Sequence, residues 1–173
     1  MKTILLSPVP ALFTGLLVLL AILPWGGPEW SDLMLLLLPV AAIYFWSTRR
    51  PILMPPPLVF LTGLILDVLT HGPLGLWAGA ALIAAISGRS ARRTRPKLGW
   101  LRAAAHVAMT IAVCTVYAAV LTSLHKWQMV EPQPLLQAAG AAILAYPLLA
   151  GLLSAIDAAW PATDGGALFL RGD

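Results

Sequence analysis

Asp67 is the acidic residue set deepest in an apolar run, with Leu64, Ile65 and Leu66 before it and Val68 and Leu69 after it. A charged side chain at the centre of a membrane-crossing helix costs about 2.5–3.5 kcal/mol on insertion scales, so it is normally compensated and purposeful. Two chemistries fit. As a proton or cation site, Asp67 would act in transport, but no second intramembrane carboxylate completes a relay. Asp157 stands at the end of its own apolar segment among alanines and Trp160, as an interface residue. As a cap, Asp67 would be structural. It lies about one turn from the C-terminal end of its helix, where the macrodipole repels an anion. Just beyond it Gly72, Pro73, Leu74 and Gly75 open the next helix, whose free amides attract one. The cap is the expected role, tying a hairpin together, with His71 at i+4 as a second partner.

A second set of polar groups, His106, Thr110, Cys114 and Tyr117, recurs at i, i+4, i+8 and i+11, which places them on one stripe of a helix. Such a stripe lines a cavity or bonds to neighbouring helices. Bonding to neighbours is expected, because pockets usually converge polar groups from several elements. Cys114 is the single cysteine, so there is neither a disulfide framework nor a thiol cluster for a metal. The chain has no G-x-S-x-G elbow, no H-E-x-x-H, no phosphate-cradling G-x-x-x-x-G-K-[ST] loop and no pair of intramembrane aspartates. The expectation is a protein that is not an enzyme and carries no cofactor and no metal.

The elements holding these residues follow from composition. Of 173 residues, 60% are hydrophobic and only 10% are charged, against about 25% charged in a soluble domain. The chain reads as an all-α polytopic membrane protein, since backbone groups in lipid must bond within their own helix. Six spans are expected, at 8–24, 33–47, 57–70, 73–87, 101–124 and 135–159, in one domain over 1–160 with a polar tail at 161–173. The third and fourth segments are short, roughly 21–23 Å at the helical rise. Two full spans are preferred to a re-entrant hairpin, which would satisfy the same charge pattern.

Lys2, Arg49, Arg50, Arg89, Arg92, Arg93, Arg95, Lys97, Arg102 and Arg171 fall on one side of the alternating spans, and Lys126 alone on the other with Glu29, Asp32 and Glu131. The positive-inside rule then puts both termini in the cytoplasm. Trp25, Trp30 and Trp127 would mark the outer interface and Trp46, Trp100 and Trp160 the inner one. The net charge of +4 does not imply nucleic acid. The basic loop 89–102 reads as a topology determinant in contact with anionic membrane lipids, with docking of a cytoplasmic protein as the alternative. Gly63, the Gly75/Gly79 pair at G-x-x-x-G spacing, and the series Ala80, Ala84, Gly88 and Ala138, Ala142, Ala145 indicate close helix packing.

The stretch 60–75 reads Phe-Leu-Thr-Gly-Leu-Ile-Leu-Asp-Val-Leu-Thr-His-Gly-Pro-Leu-Gly, preceded by Tyr44, Phe45, Trp46 and then Pro51. It resembles the signature region of the bacterial rod shape-determining membrane protein family MreD, over about 44–79. The rest matches only in hydropathy. The resemblance implies a six-helix fold similar to the substrate-binding subunits of energy-coupling factor transporters. It also implies a non-catalytic scaffold of the cell-elongation complex in the cytoplasmic (inner) membrane. Such a scaffold binds MreC and, with the actin-like MreB, supports RodA and its penicillin-binding transpeptidase in lateral peptidoglycan synthesis and cell shape. Gly63, Asp67, Pro73 and Gly75 are the motif positions carried over, and Gly79 adjoins them. The density of basic residues over 89–97 departs from the family. The alternative is a small-solute-binding membrane subunit of a transporter, favoured by the shared fold.

Overall fold

A computed structural model describes residues 9–23, 26–94 and 100–159. Lys2, Trp25, Arg95, Lys97, Trp160, Arg171 and the tail 161–173 lie outside the described residues, as do the side chains of Trp100 and Arg102. The described residues form six helices and no strand: α1 Val9–Ile22, α2 Glu29–Arg49, α3 Pro56–Leu69, α4 Leu76–Thr94, α5 Trp100–Lys126 and α6 Pro132–Ala159. Three helical stretches, Glu29–Arg49, Ala103–Lys126 and Pro132–Ala159, are long and apolar enough to cross a membrane. At 14 residues each, α1 and α3 are shorter apolar helices.

Local chemistry sets several of the helix ends. Pro28 precedes α2 in an extended conformation, and Glu29 and Asp32 in the first turn complement the positive end of the helix dipole. Pro55 is the extended N-cap of α3, followed by prolines in the first turn, where the missing N–H has no acceptor to lose. At its other end α3 closes with the Gly72 amide donating to the Asp67 carbonyl and the His71 amide to that of Val68. That pair of bonds is a Schellman closure, and His71 takes the left-handed conformation it requires, at φ 52°.

Helix boundaries depart from the hydropathy reading at both ends of the fourth segment. Helix α4 begins at Leu76, with Pro73 and Gly75 in the turn before it, and it continues to Thr94. Arg89, Arg92 and Arg93 are therefore helical rather than part of a loop. Helices α2 and α6 likewise start three or four residues earlier than their apolar cores. Backbone hydrogen bonding extends a helix into polar turns that hydropathy does not count.

Helix α2 is the hub, packed against α1, α4 and α6, while α3 lies on α4, and α5 on α4 and α6. Every residue from 39 to 48 is buried, so this helix meets protein on all sides. Trp46 is only 1% exposed and belongs to this core, not to a membrane interface. Gly88 lets α4 approach α2: a Cβ there would stand 2.6 Å from the Tyr44 carbonyl oxygen. By contrast, Leu12 and Leu16 on α1, Val116 and Val120 on α5, and Leu144 and Leu148 on α6 point outward, the last two about 80% exposed. Apolar surface of that extent is unsuited to water.

The helices alternate in direction. Arg49, Arg50, Arg89 and Arg92 gather at one end with Asp157, through Arg50–Asp157, Arg89–Met54 and Arg92–Arg49 contacts. Glu29, Lys126 and Glu131 gather at the other end beside Leu76 and Trp77. Helix α4 thus runs between the two ends of α2.

Candidate functional site

The site is built on the turn between α3 and α4. Asp67 is 0% exposed. Its Oδ1 accepts the Trp77 amide at 2.6 Å, and its Oδ2 accepts the amides of Gly75 at 2.9 Å and Ala78 at 3.3 Å. One carboxyl group from the last turn of α3 therefore serves the orphan N–H groups that begin α4. The expected partner His71 does not join it. Because α3 ends at Leu69 and His71 turns left-handed, its side chain leaves the helical i+4 position and is exposed.

The glycines and the proline have distinct tasks. A Cβ on Gly63 would stand 2.6 Å from the Trp77 carbonyl oxygen and press on the Ala78 backbone, so this glycine lets α3 touch α4 main chain to main chain. Gly75 adopts φ 98°, which a side chain would strain. Pro73 lies in the turn, its carbonyl accepting the Leu76 amide at 3.2 Å. Gly79 faces the Tyr117 ring, whose Cε1 would be 2.8 Å from a Cβ there. Gly75 and Gly79 are therefore not a helix-packing G-x-x-x-G pair, since Gly75 precedes the helix and only Gly79 is on it.

Helix α5 joins the same turn: the Tyr117 hydroxyl donates to the Gly75 carbonyl at 3.0 Å. Lower on the stripe, the Cys114 thiol donates to the Ala80 carbonyl at 3.5 Å, and His106 Nδ1 is hydrogen-bonded to the Tyr44 hydroxyl at 3.2 Å. Thr110 instead donates to the His106 carbonyl of its own helix. The space beside this stripe, between Leu37, Ala84 and Cys114, amounts to only about 10 Å³. Three of the four stripe residues thus fasten α5 to α2 and α4. No family model, curated protein or solved structure matches the chain.

Two features escape a residue-by-residue reading. Asp157 Oδ1 pairs with Arg50 Nε at 2.6 Å and its Oδ2 lies 3.7 Å from Arg49, whose guanidinium stands over the Phe45 ring at 5.1 Å. This ion cluster fastens the end of α6 to the end of α2. Its signal in the sequence is that Asp157 falls on the side of the chain that collects the arginines.

The second is an open-mouthed cavity of about 350 Å³ at the acidic end, bordered by α2, α4, α5, α6 and the link 128–131. Leu33, Leu37, Ala118 and Ala138 line it, the capped residues Leu76 and Trp77 form one wall, and Glu29, Lys126 and Glu131 stand among its lining. Its lining recurs at helical spacing on α2 (Glu29, Leu33, Leu37) and on α5 (Thr115, Ala118, Ala119, Thr122, Lys126), but the sequence does not mark it, because small and apolar residues at that spacing equally describe a packed seam. Among the described residues no group of three or more His, Cys, Asp or Glu side chains could hold a metal ion.

Proposed function

We propose that the chain is a non-catalytic six-span membrane scaffold of the bacterial rod-shape elongation complex, binding MreC and supporting MreB, RodA and a penicillin-binding transpeptidase in wall synthesis. The observation that carries this reading is the state of Asp67, in the stretch where the resemblance to the MreD family is strongest. Its carboxyl group is fully buried and its oxygens accept three backbone amides. A carboxyl group whose oxygens are taken up by main-chain amides is suited to holding a hairpin together. The outward leucines and valines of α1, α5 and α6 offer surface for lipid and for partner helices.

The charge arrangement supports both termini lying in the cytoplasm, and the resemblance implies the inner membrane. Arginines of α2 and α4 meet at one end, and Glu29, Asp32 and Glu131 belong to the other. The run of α4 from the acidic end of α2 to its arginine end favours two crossings by α3 and α4 over a shallow re-entrant loop. A second reading, a small-solute-binding subunit of a transporter, is favoured by the 350 Å³ cavity alone.

Affinity purification of a tagged chain from its native membrane in mild detergent, followed by mass spectrometry, tests the choice. Co-elution of MreC with wall-synthesis enzymes is the expected result. Co-elution of a nucleotide-hydrolysing transport module would replace the scaffold with the transport reading.

A further inference from the structure

We propose that the cavity at the acidic end is a lipid site that holds one acyl chain of a zwitterionic phospholipid, with the headgroup phosphate at Lys126 and its ammonium between Glu29 and Glu131. The inference requires that the chain lie in a membrane and is independent of the assembly it serves there.

Shape supports it first. A volume of about 350 Å³ sits at the lower end of the roughly 300–1,000 Å³ typical of ligand sites. That suits a single chain, with a second left in the bilayer. The deeper walls are Leu33, Leu37, Leu76, Trp77, Ala118 and Ala138, all apolar and buried or half-buried. Thr115, the polar residue among them that is buried, already donates its hydroxyl to the Ile111 carbonyl at 2.9 Å. Thr122 and Gln128, the other uncharged polar residues of the lining, stand within a turn or so of Lys126 in the chain, so the walls away from Lys126 offer an occupant packing and little hydrogen bonding, which suits a hydrocarbon chain better than a polar solute.

Charge at the mouth supports it second. Glu29, Lys126 and Glu131 are exposed there, and none forms an ion pair with another described residue. Two carboxylates and one ammonium complement a headgroup carrying one positive and one negative charge. The same mouth, being net negative, repels a headgroup that carries only a phosphate. The position of these residues supports it third. They stand at the ends of α2, α5 and α6, the three helices long and apolar enough to cross a membrane, where headgroups lie.

The test is native mass spectrometry and thermal melting of the full chain in detergent. The probes are phosphatidylethanolamine, phosphatidylglycerol and the soluble headgroup phosphoethanolamine. The expected result is retention of one phosphatidylethanolamine per chain and a rise in Tm of about 5 °C at saturating lipid. Phosphatidylglycerol and free phosphoethanolamine should leave Tm unchanged. Ala119→Phe, which fills the cavity from α5, should abolish retention. The surface variant Lys126→Gln with Glu131→Gln, which leaves the core untouched, should cut it at least tenfold. Equal retention of the anionic lipid would overturn the proposal, as would an equal Tm rise with phosphoethanolamine, which would mark a site for a free solute. So would unchanged lipid retention by the double surface variant, a readout that stands even if Ala119→Phe fails to fold.

Discussion

Asp67 and Asp157 each use both carboxyl oxygens to join two helices of the same bundle, yet their partners are opposite in kind. Asp67 bonds to backbone amides in a site closed to solvent. Asp157 bonds to two arginine side chains near the bundle end, with 13% of its own side chain exposed. An amide of a fixed turn cannot turn elsewhere for a partner, whereas an arginine at the surface has water. The first contact therefore decides whether α3 and α4 form a hairpin, and the second only trims a helix end. Buried donors left without an acceptor are expensive, whereas the part-exposed arginines that face Asp157 can turn to water when it is removed.

The comparison predicts a graded series of variants, read by thermal or denaturant melting in detergent. Asp67→Leu removes the acceptor from the amides of Gly75, Trp77 and Ala78, the last two buried, and should destabilise the bundle by about 3 kcal/mol or more, since each buried donor left unsatisfied costs about 1–3 kcal/mol. Asp67→Asn keeps one acceptor oxygen and turns an amino group towards the Trp77 amide, and should cost about 1–2 kcal/mol. Identical melting of the two variants would contradict the cap. Tyr117→Phe deletes the bond to the Gly75 carbonyl but keeps the ring over Gly79, for a loss of about 1 kcal/mol. Asp157→Asn keeps one acceptor oxygen beside arginines that reach water and should cost about 1 kcal/mol, and a loss larger than that of Asp67→Asn would erase the distinction between the two sites. The smallest effect, of opposite sign, belongs to His71→Gly. It relieves the left-handed conformation at the end of α3, and a net gain of about 0.5 kcal/mol is expected after the added freedom of the unfolded chain.

Much of the hairpin is legible in local order. Gly72, Pro73 and Gly75 announce a turn, and a carboxylate a few residues before such a turn has amides within reach. His71 was the exception, because helical i+4 spacing applies only while the helix lasts, and α3 stops two residues short of it. The Gly75/Gly79 spacing was misleading for a related reason: the same four-residue interval describes a packing seam inside a helix and a turn feeding into one. Only backbone dihedrals separate them.

The amino-acid sequence by itself determines the class: a chain with 60% hydrophobic and 10% charged residues, arranged in long leucine- and alanine-rich segments, satisfies its backbone in lipid as helices. It also determines where the helices break, because proline, glycine and charge act on their immediate neighbours. Only the tertiary structure decides how the helices are rotated about their axes, and with that which residues meet. That rotation takes Trp46 into the core, brings Tyr117 to Gly75, joins Asp157 to Arg50 across the bundle, and leaves a cavity where four helices fail to close. Hydropathy is a property of single residues, whereas each of these features depends on faces of helices that are distant in the chain.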